Sequence, residues 1–449
     1  MAKQVGDTQE KWNWVEPSVW TERMLTALEK GVRGGKWFSL IDKVGSRANL
    51  MAAYKKAKAN KGSAGVDHVT IEMFEARLEE NLERLSRELI SGSYEPQAIR
   101  RVWIPKTGSK KQRPLGIPTI RDRVVQGALR NAMEPIFEKE FAAESYGFRP
   151  GRGAKDALRR VDGRLKEGYT YVVEADLESY YDTIPQEPLM DRVEEHVADG
   201  KVLELIKRYL NQEVMESAKR WTPEKGTPQG AVISPLLSNI YLNPLDHLMA
   251  GKGYKMVRYA DDFVILCESE KEAQDAIEEV SRWVGEAELR LHPEKTRIVY
   301  CKDDRRRGSY SHEKFDFLGF TFRPRPSLSK GGRQFVGFNP AVSNKAMKAM
   351  RKMIRSWNLK RRTTETIENL AEMYNPVIRG WINYYGSYCK TVLYQVFKYL
   401  DVVLSRWAKR KYKRIRGRQR RAIHWVKRII FRQPGLFAHW RFIYAWARR

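Results

Sequence analysis

Four consecutive residues, Tyr259-Ala260-Asp261-Asp262, decide how the rest of this sequence is interpreted. They join two short apolar runs, residues 256–259 and 263–267, and this pattern predicts a β-hairpin with two carboxylates at its tip. Residues 169–176 predict a further buried strand that ends at Asp176. Charged side chains at strand ends are costly to bury unless they bind something. We therefore expect the strands to lie side by side and to bring Asp176 close to Asp261.

Carboxylates gathered in this way are the oxygen ligands that Mg²⁺ prefers in proteins. Two Mg²⁺ ions about 3.5–4 Å apart are the known device for in-line phosphoryl transfer. One ion activates the attacking 3′-hydroxyl, and the other steadies the leaving pyrophosphate. An Asp-Asp pair alone is equally typical of a solvated turn, so the prediction of a metal site depends on the other motifs of the chain.

The charge of the chain is concentrated in its last quarter. The net charge is +28, from 83 Lys plus Arg against 55 Asp plus Glu. Residues 341–449 hold 27 basic and 4 acidic residues, and nine of the thirteen residues in 409–421 are basic. Self-repulsion of this size indicates a polyanionic partner, with nucleic acid as the first candidate. The Trp residues interleaved with these charges could stack on unpaired bases, but for each Trp alone we favour a place in a helical core.

The composition argues against several other classes of protein. The three cysteines contain no CxxC pair, and the seven histidines contain no HxxxH pair. A disulfide scaffold is therefore excluded, and a zinc module is not expected. The N-terminus lacks the pattern of a signal peptide, and no apolar run approaches the ~18 residues of a membrane span. We expect a cytoplasmic protein with no membrane partner.

The order of predicted elements gives the fold class. Strands and helices alternate between residues 100 and 322, which predicts an α+β domain. Within it, residues 187–219 have a helical pattern. Residues 323–335 are rich in Pro, Gly, Ser and Arg and predict a domain boundary. Beyond this boundary, apolar residues recur at helical spacing and predict three helices from about residue 340.

The residues around Asp261 match the YxDD box of reverse transcriptases, and further motifs follow the order of that family. Ser145-Tyr146-Gly147-Phe148-Arg149-Pro150-Gly151-Arg152 is very typical of the enzymes that group II introns encode. The other blocks that resemble this family are residues 61–67, 104–106, 113–118, 226–230, 234–240, 291–296, 317–320 and, in the maturase or X region, 379–385. Over residues 50–410 the sequence therefore resembles a bacterial group II intron-encoded reverse transcriptase and maturase.

The resemblance implies a right-hand polymerase. It places an N-terminal extension at residues 1–49, fingers at 50–160, a palm with the YADD hairpin at 161–322, a helical thumb or maturase (X) domain at 340–412, and a basic nucleic-acid-binding tail at 413–449. No paired cysteines of an endonuclease follow the maturase region, and residues 434–440 resemble the C-terminal stretch of members that lack one. We therefore expect an endonuclease-less type.

The resemblance also implies the residues of the site. Asp176, Asp261 and Asp262 would be catalytic, with Asp176 and Asp261 as ligands of two Mg²⁺ ions. Asp262 need not bind metal directly and could act on the ligands instead.

Five further residues would contact the incoming nucleotide or the primer. Lys106 and Arg113 would bind the triphosphate, one as a point charge and one as a bidentate fork. Tyr181, five residues after Asp176, would be the steric gate that rejects a ribose 2′-hydroxyl. Gln229 would lie against the nucleotide, and Lys295 would lie near the primer or the phosphates. Taken singly, the Lys and Arg side chains are more typical of a solvated surface, and Tyr181 and Gln229 are also typical of a core and a turn.

We therefore expect an RNA-directed DNA polymerase of a group II intron. By resemblance, it also binds its intron RNA as a maturase for splicing and supports intron mobility by target-primed reverse transcription. Its partners would be the intron RNA, an RNA template with a DNA primer, target DNA and dNTPs.

Three other interpretations of the sequence stay open. A domesticated, CRISPR-associated or other defence reverse transcriptase differs only in its gene neighbourhood. An RNA-binding splicing factor without polymerase activity and a generic nucleic-acid packaging protein belong to other classes. The complete set of site residues argues against the splicing factor, and a packaging protein would not need the carboxylates.

Overall fold

The computed structural model describes residues 11–32, 34–105, 112–329 and 331–444. Its N-terminal part is helical, with α1 (Glu22–Lys30), α2 (Ile41–Val44), α3 (Arg47–Asn60), α4 (Ile71–Glu75) and α5 (Leu78–Ser91). Side-chain hydroxyls begin several of these helices. Ser46 accepts a hydrogen bond from the backbone N–H of Asn49, and Thr70 accepts one from that of Met73.

The first sheet of the fold combines strands that are distant in sequence. Between residues 99 and 221 the elements are β1 (Ile99–Pro105), β2 (Gln112–Ile117), α6 (Ile120–Glu138), α7 (Ala154–Glu167), β3 (Tyr171–Asp176), α8 (Tyr180–Thr183), α9 (Gln186–Glu194), α10 (Gly200–Leu210), β4 (Val214–Glu216) and β5 (Lys219–Trp221). The sheet has the order β2-β1-β4-β5, with β1 antiparallel to β2 and parallel to β4.

The prediction of helix throughout residues 187–219 is wrong at its C-terminal end. Val214 and Met215 of β4 pair with Ile99 and Arg100 of β1 instead. Strand formation here depends on a partner that is remote in sequence, and such a partner overrides local helical preference.

The predicted hairpin is present. The next elements are α11 (Ser234–Gly251), β6 (Lys255–Tyr259), β7 (Asp262–Cys267), α12 (Glu270–Glu286) and β8 (Arg297–Tyr300). Strands β6 and β7 are antiparallel, with Tyr259 opposite Asp262, and the sheet has the order β6-β7-β3-β8. Val257, Val264 and Ile265 are buried, so the apolar runs of the hairpin belong to the core and its carboxylates lie at the end.

Three strands between residues 315 and 342 form a third sheet, of which the sequence predicts only one strand, at residues 317–322. It consists of β9 (Phe315–Phe317), β10 (Phe320–Leu328) and β11 (Gln334–Val342) in antiparallel order β9-β10-β11. The described residues of the predicted boundary at 323–335 include the end of β10 and the start of β11, and the boundary itself stays a prediction. Pro324 and Pro326 are tolerated because β9 pairs only with Phe320–Phe322, which leaves that part of β10 paired on one side.

The C-terminal part is a helical core. The three helices predicted from about residue 340 are α13 (Asn344–Ser356), α14 (Ile367–Tyr385) and α15 (Lys390–Lys411), and α16 (Gln419–Arg432) and α17 (Ala438–Ile443) follow them. The last two helices pack on the same apolar cluster as the first three, through Val426, Ile430 and Trp440 among others. Trp407 and Trp440 are fully buried, in the helical core that we favoured for each Trp taken alone.

Contacts divide the described residues into two compact units. One comprises residues 11–105, 112–161 and 173–297, and the other comprises residues 162–172 and 298–444. The mixture of helices and strands confirms the α+β class, whereas the finer division into five domains stays a prediction. Among the described residues, no helix is both long enough and apolar enough to cross a membrane.

Candidate active site

The tip of the β6–β7 hairpin is a turn in a costly backbone conformation. Ala260 has a φ of 58°, in the left-handed region that residues with a β-carbon rarely adopt. Asp261 and Asp262 follow it directly, and Phe263 behind them is buried. A non-glycine residue keeps such a conformation only where its surroundings hold it there.

Arg258 fixes the position of this turn through hydrogen bonds of its side chain. Its side chain is fully buried, and its Nε donates to both carboxylate oxygens of Asp246 on α11, at 2.7 and 3.0 Å. Its Nη1 donates to the backbone carbonyl of Ala260 at 2.9 Å and to Oδ1 of Asn239 at 3.0 Å. The buried ion pair therefore fixes the guanidinium, and the guanidinium fixes the carbonyl of the strained residue.

The Ser145–Phe148 part of the family motif lies directly against the same turn. The backbone N–H of Tyr146 donates to the carbonyl of Arg258 at 2.9 Å, and the Nδ2 of Asn239 donates to the carbonyl of Gly147 at 2.8 Å. A β-carbon at Gly147 would lie 2.3 Å from the backbone nitrogen of Ala260. Only glycine fits at this close approach, and this explains why the motif has glycine at position 147.

The three predicted catalytic carboxylates converge at the tip. Asp176 ends β3, the strand next to β7, and its carboxylate lies close to that of Asp262. Burial, together with the nearby carboxylates of Asp261 and Asp176, raises the pKa of Asp262 to about 7. Asp262 nevertheless keeps solvent-accessible surface, so the cluster has an open side from which a ligand can approach.

The donor set fits a hard cation. It offers only carboxylate oxygens, which suit Mg²⁺ better than a soft transition metal. In the part of the chain that the structure describes, no group of three or more His, Cys, Asp or Glu side chains is placed to hold a metal ion by itself. Mg²⁺ is usually held by one or two carboxylates together with waters and substrate phosphates. Asp176 and Asp261 could therefore hold such an ion without an all-protein cage.

Lys295 supplies a positive charge to this cluster. Its ammonium forms an ion pair with the carboxylate of Asp176. The segment before Lys295 lies along the end of β3: Leu291 forms a bridge with Leu177, and the N–H of His292 donates to the carbonyl of Asp176 at 2.8 Å. The Lys295 side chain is about half exposed, so we expect this ion pair to contribute little to stability. The main effect of the Lys295 ammonium is to offset part of the negative charge of the carboxylate cluster.

Tyr181 lies next to the carboxylates, on the short helix α8 that follows β3. Burial, together with the nearby Asp261 carboxylate, raises the pKa of Tyr181 to about 12. The hydroxyl is buried beside that of Ser238, but the two do not form a hydrogen bond of good geometry. The backbone carbonyl of Tyr181 accepts from the N–H of Thr227 at 2.7 Å, so the 226–230 turn packs against α8.

Gln229 is held from two sides. Its carbonyl accepts a 2.6 Å hydrogen bond from the N–H of Gly116 on β2, and its Nε2 donates to Oδ2 of Asp182 at 3.3 Å. Burial raises the pKa of Asp182, whereas the nearby Arg101 lowers it. The side-chain amide nitrogen of Gln229 therefore points towards Asp182, and the amide oxygen of Gln229 points away from Asp182.

The sequence-predicted residues are thus found in the following places. Asp176, Asp261, Asp262 and Lys295 form one cluster, Tyr181 lies beside Asp261, and Gln229 contacts the neighbouring Asp182. Arg113 is exposed on β2, opposite Ile104, and Lys106 lies outside the described residues. The roles of all eight residues stay predictions.

Sequence reasoning missed three residues of the site: Arg258, Asp246 and Asp182. Arg258 offered a signal, because it is the one charged residue of the run 256–259, immediately before the YADD turn. A charged residue at such a position needs a buried partner. Asp246, twelve residues earlier on α11, gave no sign of being that partner.

Comparison with known proteins adds two family matches. The family model described as "Reverse transcriptase (RNA-dependent DNA polymerase)" matches residues 104–322, which contain the whole carboxylate cluster. The model described as "Group II intron, maturase-specific domain" matches residues 347–425, from within α13 to the middle of α16.

Individual relatives agree with these matches. Protein YkfC of Escherichia coli is 35% identical over 333 residues, which are 65% of this chain and 83% of that protein. The group II intron-encoded protein LtrA of Lactococcus lactis is 28% identical over 427 residues, covering 74% of this chain and 68% of that protein. Among solved structures, a chain of a partial Cas6-RT-Cas1–Cas2 complex is 24% identical with a TM-score of 0.36, covering 55% of this chain and 41% of that one.

We predict that Arg258→Met lowers the free energy of unfolding by about 3–5 kcal/mol, because Asp246 is left buried without its counterion. Urea denaturation measures the effect. Adding Asp246→Leu should restore most of this stability, since the uncompensated charge is gone. An Arg258→Met protein as stable as the parent would contradict the importance of the pair.

We also predict a pH-dependent effect of Asp262→Asn on the metal-free protein. The pKa of Asp262 is about 7 in the folded chain and about 3.9 in an unfolded one. The folded state therefore binds the proton of the Asp262 carboxyl more tightly than the unfolded state does. The stability that this bound proton contributes is lost as the pH rises from about 4 through about 7. The amide of the variant has no such proton to lose, so the variant should gain stability relative to the parent across this interval. Urea denaturation in EDTA tests this, and a difference that is constant with pH would refute it.

Proposed function

Because this chain belongs to the group II intron reverse transcriptase and maturase family, we propose that Asp176, Asp261 and Asp262 catalyse its RNA-templated DNA synthesis with two Mg²⁺ ions. Membership of the family makes the chain a reverse transcriptase and maturase. The observation that carries the two-metal proposal is the convergence of three carboxylates at one strained turn, where the pKa of Asp262 is raised to about 7.

Each residue of the cluster has a distinct part in this proposal. Asp176 and Asp261 would hold the ions through their carboxylate oxygens. Bound Mg²⁺ would supply activation of the primer 3′-hydroxyl and neutralisation of the triphosphate charge. Asp262, whose carboxylate lies close to that of Asp176, would help to orient it. Lys295 would balance the charge of Asp176 while the nucleotide is absent.

The nucleotide would lie between the cluster and the fingers hairpin of β1 and β2. The ring of Tyr181, beside Asp261, would exclude a 2′-hydroxyl by its shape. Gln229 is fixed by β2 and by Asp182, so its amide would contact the nucleotide in a set orientation. Arg113 lies on β2 of this hairpin, and we propose that it binds the triphosphate together with Lys106.

The partners we propose are the intron RNA, an RNA template with a DNA primer, and target DNA. The C-terminal region supports a nucleic-acid partner, because residues 402–449 contain no Asp or Glu at all. The apolar sides of α16 and α17 pack in the helical core, so their basic side chains are held on a folded surface. Splicing and target-primed mobility would both use this surface to hold nucleic acid.

The other candidate functions are weaker. A CRISPR- or defence-associated role receives no argument from the structural comparison, whose TM-score is 0.36. The match of the maturase-specific domain at residues 347–425 favours the intron. A splicing factor without polymerase activity would not need the carboxylate cluster, and the next experiment separates it from the enzyme.

Replacing Asp261 and Asp262 together by Ala should abolish DNA synthesis on an annealed RNA template and DNA primer, since the metal loses a carboxylate ligand. Binding of RNA should persist because the C-terminal region is untouched. Primer extension and a filter-binding assay measure the two properties. The matched control is Asp303→Ala with Asp304→Ala, an adjacent Asp pair in a loop of the other unit. Full extension by the Asp261/Asp262 variant would overturn the proposed chemistry.

Tyr181→Ala should admit ribonucleotides, because truncation opens the space that the ring fills and shape-based rejection is relieved. The measurement is the ratio of kcat/KM for a dNTP to that for the matching rNTP. We expect this ratio to fall by at least about tenfold, which corresponds to about 1.4 kcal/mol of lost discrimination. Tyr181→Phe, which keeps the ring, serves as the control and should retain the parental ratio. If both variants discriminate like the parent, another side chain is the gate.

Neutralising exposed cations of the 409–421 stretch should flatten the salt dependence of RNA binding. We choose Lys413, Arg414, Arg416 and Arg418, each replaced by Gln, because all four are exposed. The slope of log affinity against log salt should fall by about 0.7 for each lost phosphate contact. Arg84→Gln with Arg87→Gln on α5 is the control for general loss of charge. Equal slopes before and after the four replacements would show that these cations face only solvent.

A further inference from the structure

Helix α16 has one apolar side in the helical core and a second side that faces solvent. Ala422, Val426 and Ile430 are the buried side. On the solvent side, Ile423, Lys427 and Phe431 follow one another at intervals of four residues, so they form a line along the helix. Arg420, His424 and Arg428 form the neighbouring line, and all six side chains are exposed. We call these six residues the Phe431 face.

Phe431 is unusual among the residues of the Phe431 face because its large apolar side chain is mostly exposed. Its side chain is 75% exposed, more than any other large apolar side chain in the described part of the chain, and Ile423 is 37% exposed. Helix α16 already buries three apolar residues in the core, so it does not need Phe431 for folding. A large aromatic ring placed in water on a folded helix indicates a surface that is covered by a partner.

The charges around Phe431 select the chemistry of that partner. No acidic residue occurs from Val402 to Tyr444, so no carboxylate of this segment neutralises Lys427 or Arg428. A polyanion is therefore the complementary partner. An anionic membrane would require the apolar side chains to be segregated from the basic ones. Here the segregated apolar side faces the protein core, and the exposed apolar residues alternate with cations.

An aromatic ring between cations is how proteins bind unpaired nucleotides. The ring stacks on a base, and the cations neutralise the adjoining phosphates. We propose that the Phe431 face binds an unpaired segment of RNA, with Phe431 stacked on a base and with Lys427 and Arg428 on its phosphates. This inference rests on the proposed binding of intron RNA and narrows it to single-stranded nucleotides at a defined helix face. The maturase-specific match ends at residue 425, so Phe431 lies outside it.

The experiment compares the loss of base stacking with the loss of phosphate contacts, both in the full-length protein. The probe is an unstructured RNA oligonucleotide, and its Kd is measured by fluorescence anisotropy over a series of salt concentrations. Phe431→Ala should weaken binding by about 5- to 150-fold, the range measured for loss of one stacked base. Its salt slope should stay unchanged, because no phosphate contact is lost. Lys427→Gln with Arg428→Gln should instead lower the slope by about 0.7 for each contact.

Three controls make the result decisive. Met373→Ala removes another exposed apolar side chain, on α14, and should leave the Kd unchanged. Phe431→Trp keeps a stacking ring and should bind like the parent. An RNA probe without bases should bind the parent and Phe431→Ala equally, since there is nothing to stack on.

Several results would overturn the inference. These are an unchanged Kd for Phe431→Ala, an equal loss of binding to fully paired RNA, or a Phe431-dependent association with anionic lipid vesicles in place of RNA. Extension of a pre-annealed primer is measured on the parent protein as a separate test of the proposed function. If extension is normal and the RNA affinity is unchanged, only the inference about this face fails. If the parent does not extend primers, the proposed function fails instead.

Discussion

Three like charges must be held together at one end of a sheet, and much of the surrounding structure serves this constraint. Asp176, Asp261 and Asp262 repel one another, and the repulsion is visible in the pKa of Asp262, which burial and the two neighbours raise to about 7. Left to itself, such a turn would relax into solvent. The fold prevents this with the buried ion pair of Arg258 and Asp246, whose guanidinium also binds the carbonyl of the turn residue Ala260.

The buried pair positions its neighbours because the hydrogen bonds of the guanidinium are directional. A salt bridge between Arg258 and Asp246 is weak support for stability by itself, since desolvation offsets much of the attraction. The guanidinium, however, also donates to Ala260 and Asn239, and Asn239 donates to Gly147. One buried cation thereby fixes a left-handed turn, a helix and a glycine segment relative to each other. The carboxylates above are then positioned without metal, at the expense of mutual repulsion that a divalent cation would relieve.

The sequence predicted the hairpin and the strand of Asp176 because local information is sufficient for both. Apolar runs of strand length flank the Asp-Asp turn, and a run of β-branched and aromatic residues precedes Asp176. It did not predict β4, because Val214 becomes a strand residue only by pairing with Ile99. It placed a boundary at residues 323–335 because Pro and Gly usually interrupt structure, whereas here Pro324 and Pro326 lie on the singly paired part of β10.

The C-terminal region shows a different limit of sequence analysis. Counting charges correctly identified its excess of cations, but a count does not show which residues share a face. The apolar positions Ala422, Val426 and Ile430 attach α16 to the helical core, so the cations are displayed on a fixed helix. The partner of Arg258 was equally hidden, because the pairing with Asp246 depends on how α11 packs beneath β6. Such contacts follow from tertiary packing, which no local pattern contains.

The most direct test of the central claim counts the bound metal. Mn²⁺ can replace Mg²⁺ at oxygen sites and is visible by electron paramagnetic resonance. The sample is the full-length protein with an RNA template, a primer lacking its 3′-hydroxyl, and the complementary dNTP. We predict two Mn²⁺ per chain for the parent, and fewer for both Asp176→Asn and Asp261→Asn at the same free concentration of metal. Two ions per chain in both variants would contradict the assignment of these carboxylates as the metal ligands.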